Sequence, residues 1–339
     1  MSLHLDSFLE LADALERLRS PMTGPSTLLR RVALALTPGL REGTADEVAK
    51  AHLAVTRNVR RGASPLTGLR GPFAHVVAAL VDDVELRATE IGWTLEEIEQ
   101  RFREVGLPRR GNASVLARAL LLHEGARLGT GVVPSFARVR RVEAALKAMH
   151  RSHRFMTTRE DLPLAVLLSV DEDEMDAALR GAEAGYGLLI GHGLGPRRAL
   201  RTATQALAAG ARSAEETENL AERLGALWCA GREQGLRMNR ADWMAHVGLA
   251  WSVEIEESAD AMREVVGMRQ RIRGLRPSPR KQLGFELAAG LCALDRFEDS
   301  DRRASQVVPV LLGALQALAA SQAHGASMAG STVILASSS

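Results

Sequence analysis

Apolar residues recur at helical spacing along nearly the whole chain, and this periodicity restricts the fold more than any other feature of the sequence. The alternating patterns of half-buried strands, flanked by turn dipeptides, are missing except in the last dozen residues. Proline and glycine fall between the periodic segments, as in "RSPMTGPS", "RRGASPLTGLRGP", "RLGTGVVPS" and "RGLRPSPRK". Three capping boxes are readable: Thr94 with Glu97, Ser169 with Glu172, and Ser213 with Glu216. The expected fold is all-α, an irregular array or bundle of about fourteen helices joined by short loops.

One local unit recurs. "GLPRRGNASVLARALLL" from Gly106, "GLGPRRALRTATQALAA" from Gly193 and "GLRMNRADWMAHVGLAW" from Gly235 align without gaps. In each, a glycine suits the left-handed cap that ends a helix. The next leucine folds back on the helix just left, and a new helix starts about six residues later. The unequal spacing of the three units argues against a regular solenoid and for an array built from helical hairpins. At 339 residues the chain is long enough for one large domain or two ordinary ones. The expected division is an N-terminal lobe over 1–155, a C-terminal lobe over 156–321 packed on it (or both as a single domain), and an uncharged tail over 322–339.

Charge excludes some partners. The net charge is +2 with both signs interspersed, so nothing pulls the whole molecule toward nucleic acid or anionic lipid. Of 43 basic residues only Lys50, Lys147 and Lys281 are lysine, which reads as a compositional bias of the genome. The segment 138–154 is strongly basic, but it lacks the interleaved aromatic residues of a base-stacking platform. A solvated face, or one paired with acids inside the fold, is the expectation there. Two cysteines, Cys229 and Cys292, both in apolar helical patterns, read as buried free thiols in a reducing cytosol. "MSLHLDSFLELADALERLR" carries acids and no basic region before an apolar stretch, so it reads as a helix and the protein as cytoplasmic.

No catalytic motif emerges, and the catalytic residues stay unassigned. His150 and His153 form H-x-x-H, which places two imidazoles on one helical face, with Asp161 following. These three make a candidate metal site, and distant acids such as Asp82 and Asp83 would complete a dispersed active centre. The basic neighbourhood opposes a metal ion, and no cofactor is expected. The acidic run "DEDEMD" lacks the glycine and the terminal glutamate of an EF-hand and suits a helix start. "GYGLLIGHGLG" is glycine-rich, but it lies where one helix ends and another begins, so close packing and a turn account for it. Tyr186, the only tyrosine, reads as core.

The stretch "FMTTREDLPLAVLLSVDEDEMDAALRGAEAGYGLLIGHGLG" is the most distinctive in the chain. Thr157 or Thr158 caps a helix with Pro163 in its first turn, "LAVLL" follows, and then a second helix and the Gly-Leu hairpin. This segment resembles a bacterial family, domain of unknown function 4003. The resemblance implies an all-α fold and a bacterial cytosolic setting, and it carries no activity. It also implies a Leu-Gln pair after the hairpin, where this chain has Leu200 followed by Arg201.

The last thirty-six residues, from Ala304, carry no Asp, Glu, Lys or Arg. Residues 307–320 read as a final core helix, too short and too dilute in large apolar groups for a membrane span. Beyond them, Thr332, Val333, Ile334 and Leu335 form a short β-prone run in a tail that would contact a partner or the chain's own oligomer, or be recognised or processed as a peptide. The functional expectation is a non-catalytic interaction or scaffold protein that binds a protein partner or itself. The alternative is a metal-dependent enzyme centred on His150, His153 and Asp161.

Overall fold

A computed structural model describes residues 3–297, apart from 19–25, 38–39, 41–42, 63–73, 82–87, 128, 130–132, 154–155, 171, 195–197, 212, 237–241 and 276–280. Fourteen α-helices and no strands occur among the described residues. They are α1 (Leu3–Arg17), α2 (Ser26–Leu36), α3 (Ala45–Gly62), α4 (Ala74–Leu80), α5 (Ala88–Val105), α6 (Asn112–Arg127) and α7 (Phe136–Ser152). There follow α8 (Leu162–Leu168), α9 (Glu172–Gly191), α10 (Arg198–Gly210), α11 (Ala214–Glu233), α12 (Asp242–Ser252), α13 (Ser258–Leu275) and α14 (Lys281–Phe297). Short 3₁₀ turns at Arg159–Asp161 and Ile255–Glu257 lead into α8 and α13. The all-α array expected from the periodicity is what the chain forms.

The three recurring glycines do what their pattern requires. Gly106, Gly193 and Gly235 have φ of 81°, 79° and 71°, a region that side chains with a Cβ rarely enter. Each closes a Schellman motif. Gly106 N–H donates to Arg103 O at 3.3 Å and Leu107 N–H to Phe102 O at 2.8 Å. The matching pairs are Gly193 to Ile190 and Leu194 to Leu189, then Gly235 to Arg232 and Leu236 to Gly231. Leu107 is buried, and Leu194 and Leu236 pack against the core, so each leucine returns to the helix it has just left.

Two of the three capping boxes fall elsewhere. Ser213 is the N-cap of α11 and accepts from Glu216 N–H at 3.1 Å. Thr94 instead lies inside α5, because Ile91, Leu95, Ile98 and Phe102 form one continuous buried stripe that carries the helix through it. Ser169 ends α8 rather than starting α9. Its hydroxyl donates to Ala165 O at 2.5 Å and accepts from the Arg138 guanidinium at 2.8 Å.

The hydrophobic core runs from Leu5 to Leu294 through all of these helices. His4 N–H in α1 donates to Asp295 Oδ1 in α14 at 3.2 Å, so the first and last described helices meet. The α9–α11 interface is close because α9 carries glycine there: a Cβ on Gly185 would stand 3.1 Å from the Ala221 Cβ. Trp228 of α11 and Trp243 of α12 stack with centroids 4.0 Å apart and planes at 8°, and His246 and Phe285 extend the cluster to α14. Cys292 is buried as expected. Cys229 is exposed, because the apolar stripe of α11 passes through its neighbours Trp228 and Ala230 and leaves it on the outer side.

Over 138–153 both expected arrangements occur, pairing with an acid inside the fold and an exposed face. Arg138 is buried and grips both Glu124 oxygens at 2.7 Å through Nε and Nη2, and it also donates to Ser169 Oγ and Val166 O at 2.8 Å each. Lys147 pairs with Glu143 at 2.7 Å along the exposed side of the same helix.

Candidate functional site

The densest polar constellation in the family-like segment lies where α7 ends and α8 begins. His153 caps the C-terminus of α7, its N–H bonded to Met149 O. The chain then turns through Thr157 and Thr158 into the 3₁₀ turn. Thr158, extended at φ −134°, is its N-cap. Glu160 N–H donates to Thr158 Oγ1 at 3.2 Å, and Thr158 N–H donates to Asp161 Oδ2 at 2.7 Å. Of the two threonines eligible as a cap, Thr158 takes that role, and Thr157 is buried, donating to Met149 O at 2.8 Å.

α10 supplies the cationic half. Arg198 Nη2 donates to Thr158 Oγ1 at 2.7 Å and to Asp161 Oδ1 at 3.3 Å. Arg201, one helical turn on, donates from Nη1 to Thr157 Oγ1 at 2.8 Å and places Nη2 3.9 Å from Asp161 Oδ2. Gln205, with its amide oxygen turned toward the guanidinium, accepts from Arg201 Nε at 3.0 Å and Nη2 at 3.1 Å. Asp161 is 0% exposed and Arg201 1%. Burial pulls the Arg201 pKa down, and the charges of Asp161 and Glu183 oppose that shift.

α9 completes the cluster. His153 Nε2 lies 2.5 Å from Glu183 Oε2, and the Tyr186 ring meets the imidazole edge-on at 5.3 Å and 77°. Tyr186 is buried, as expected, and its hydroxyl points to Met156 Sδ at 4.0 Å. The arrangement therefore joins α7, the 3₁₀ turn, α9 and α10 by charged hydrogen bonds, and at its rim an imidazole and a carboxylate share a proton-transfer geometry.

The structure treats the three candidate metal ligands differently. Asp161 is at the centre of the arginine cluster, His153 is at its rim on Glu183, and His150 is exposed on α7. Among the described residues no group of three or more His, Cys, Asp or Glu is arranged to hold a metal ion. Asp82, Asp83 and the tail residues Thr332, Val333, Ile334 and Leu335 lie outside the described residues, as does the expected helix over 307–320. No helix among the described residues is long and apolar enough to cross a membrane.

Sequence reasoning missed Glu183, Arg198, Arg201 and Gln205 as partners. The one available signal was Arg201, which stands where the family resemblance implied glutamine. It missed a second polar group entirely. In the N-terminal helices His52 of α3 and His75 of α4 stand Nε2 to Nδ1 at 3.1 Å, with Thr56 Oγ1 3.4 and 3.3 Å from those same atoms.

No curated protein and no solved structure matches the chain. A family model does, over residues 133–323, a span far wider than the distinctive segment and one that takes in the whole Asp161 cluster. That match covers more than half of the chain, which therefore belongs to the family described as "Protein of unknown function (DUF4003)".

Proposed function

We propose that this chain is a non-catalytic helical protein of the bacterial cytoplasm that acts by binding a protein partner or a second copy of itself. One observation carries the reading: the Asp161 cluster closes on itself. Asp161, Arg198, Arg201, Thr157, Thr158 and Gln205 bond one another across the 3₁₀ turn and α10. A reacting centre keeps its charged groups aimed at a substrate, whereas these groups fix the relative position of helices. Such a clamp gives a rigid surface, which lowers the entropic cost of holding a partner.

The His153–Glu183 contact favours a second reading, acid–base chemistry at the cluster's rim, since this pair reaches solvent. Metal analysis of the purified full chain, with its size in solution, tests the interaction reading. The interaction reading expects no stoichiometric zinc, iron or manganese, and a change in partner set or oligomer size when residues 322–339 are removed. Stoichiometric metal that disappears in His150→Ala and His153→Ala would sink it. Unchanged partners and size after truncation would take the tail out of the assembly.

A further inference from the structure

His52 and His75 are each 0% exposed, with rings 5.3 Å apart and tilted by 31°. Their facing nitrogens share one hydrogen bond, and Thr56 Oγ1 donates to His52 O at 2.9 Å, which fixes the threonine beside them. The outward atoms, His52 Nδ1 and His75 Nε2, have no hydrogen-bond partner among the described residues. Two neutral imidazoles carry two N–H groups in all. One bridges the pair, so the other points outward with no acceptor among the described residues. An added proton must therefore create a full charge at a buried site where no described residue accepts from it, a costly placement.

Among the described residues the surrounding charges do not relieve that cost. Arg60, from α3 itself, acts on His75 and is cationic. On the helices packed against α3 and α4, Arg17 of α1 is turned to Asp46 and Glu99 of α5 is bonded to Arg118 of α6. α6 also buries His123, and α2 carries Arg30. We propose that the His52–His75 pair is an acid-sensitive latch between α3 and α4, whose protonation opens these N-terminal helices while the family region stays folded.

Burial pushes His52 down to about 3 and His75 down to about 4, with the neighbouring imidazole and Arg60 adding to the effect. Both values lie below the 6.5 of an exposed histidine, so the open state binds more protons than the closed one as pH falls through 6.5. Stability of the latch is complete above that value and is lost progressively below it. At pH 5 the opening equilibrium rises about thirtyfold for each histidine that becomes exposed.

Hydrogen–deuterium exchange of the full chain at pH 7.5 and 5.0, corrected for intrinsic rates, tests this. The expected result is a loss of protection of at least about tenfold in 45–62 and 74–80, beyond any loss in α10 and α11, and its disappearance in His52→Gln/His75→Gln. Unchanged protection in the wild type, or the same loss in the folded double variant, overturns the proposal. Should the variant not fold at pH 7.5, histidine NMR titration of the wild type decides. Titration of His52 or His75 near the ordinary value with protection intact overturns the latch, and titration only together with the loss of protection supports it.

Discussion

The Arg201 guanidinium meets the Asp161 carboxylate where neither residue reaches water, Nη2 standing 3.9 Å from Oδ2, with Thr157 accepting from Nη1 and Gln205 from Nε and Nη2. Separating two such charges is more costly than replacing both. Asp161→Ala strands Arg201 and also removes the acceptor for Thr158 N–H, so it should destabilise the chain by about 3–5 kcal/mol. Asp161→Asn combined with Arg201→Met should cost less than Asp161→Ala alone. Urea midpoints of the three proteins check the order, and an equal or larger loss in the double variant would contradict the buried-pair account.

Two glycines of α9 should respond in opposite directions to the same change. A Cβ on Gly181 would stand 2.8 Å from Thr217 Oγ1 and 3.0 Å from the Ala214 Cα, and the backbone of α11 cannot move aside cheaply. Gly181→Ala is therefore expected to cost about 1–3 kcal/mol through overpacking. Gly187 is exposed in the same helix and a Cβ there meets nothing within 4 Å. Gly187→Ala should raise stability by about 0.5–1 kcal/mol, because alanine loses less backbone freedom on entering a helix. Thermal unfolding of both variants is the measurement.

Local features of the fold were legible to the extent that their causes are local. The Schellman glycines could be read because a helix ending in Gly-Leu carries its whole mechanism in adjacent residues. Ser213 could be read as a cap for the same reason. Thr94 and Ser169 match the same short pattern, yet Thr94 lies within the buried stripe of α5 and Ser169 is held by Arg138 from thirty-one residues away. The candidate site divides in the same way. His153 and Asp161 stood out as titratable groups near a helix end, while Glu183, Arg198, Arg201 and Gln205 became their partners only through the packing of α9 and α10. The His52–His75 pair left no trace in the sequence, since a histidine inside an apolar stripe has the same spacing whether or not another helix brings a second one to it.

Arg138 should not tolerate lysine. Nε and Nη2 hold the two oxygens of Glu124, Nη2 also donates to Val166 O and Nη1 to Ser169 Oγ, and an ammonium cannot make this planar set of contacts. Arg138→Lys is expected to lose about 1–3 kcal/mol. Arg17 pairs with Asp46 at 2.7 Å with both side chains more than half exposed, so Arg17→Lys should stay within about 0.5 kcal/mol. Comparable losses at the two sites, measured by urea unfolding, would mean that the buried contacts of Arg138 add little.

The two thiols should differ sharply in reactivity. Cys292 lies inside α14, where burial, with Glu264 and Asp295 nearby, pushes its thiol up to about 12. The thiolate is the reacting species, so native Cys292 should be inert to a disulfide reagent at pH 8. Cys229 is exposed on α11 and should react. Titration of the native chain with such a reagent is expected to modify one thiol, Cys229, and to modify both once the chain is unfolded. In Cys229→Ser the native chain should then show almost no rapid reaction. Fast native labelling of Cys292 would mean that α14 opens readily, in conflict with its place in the core against α12 and α13.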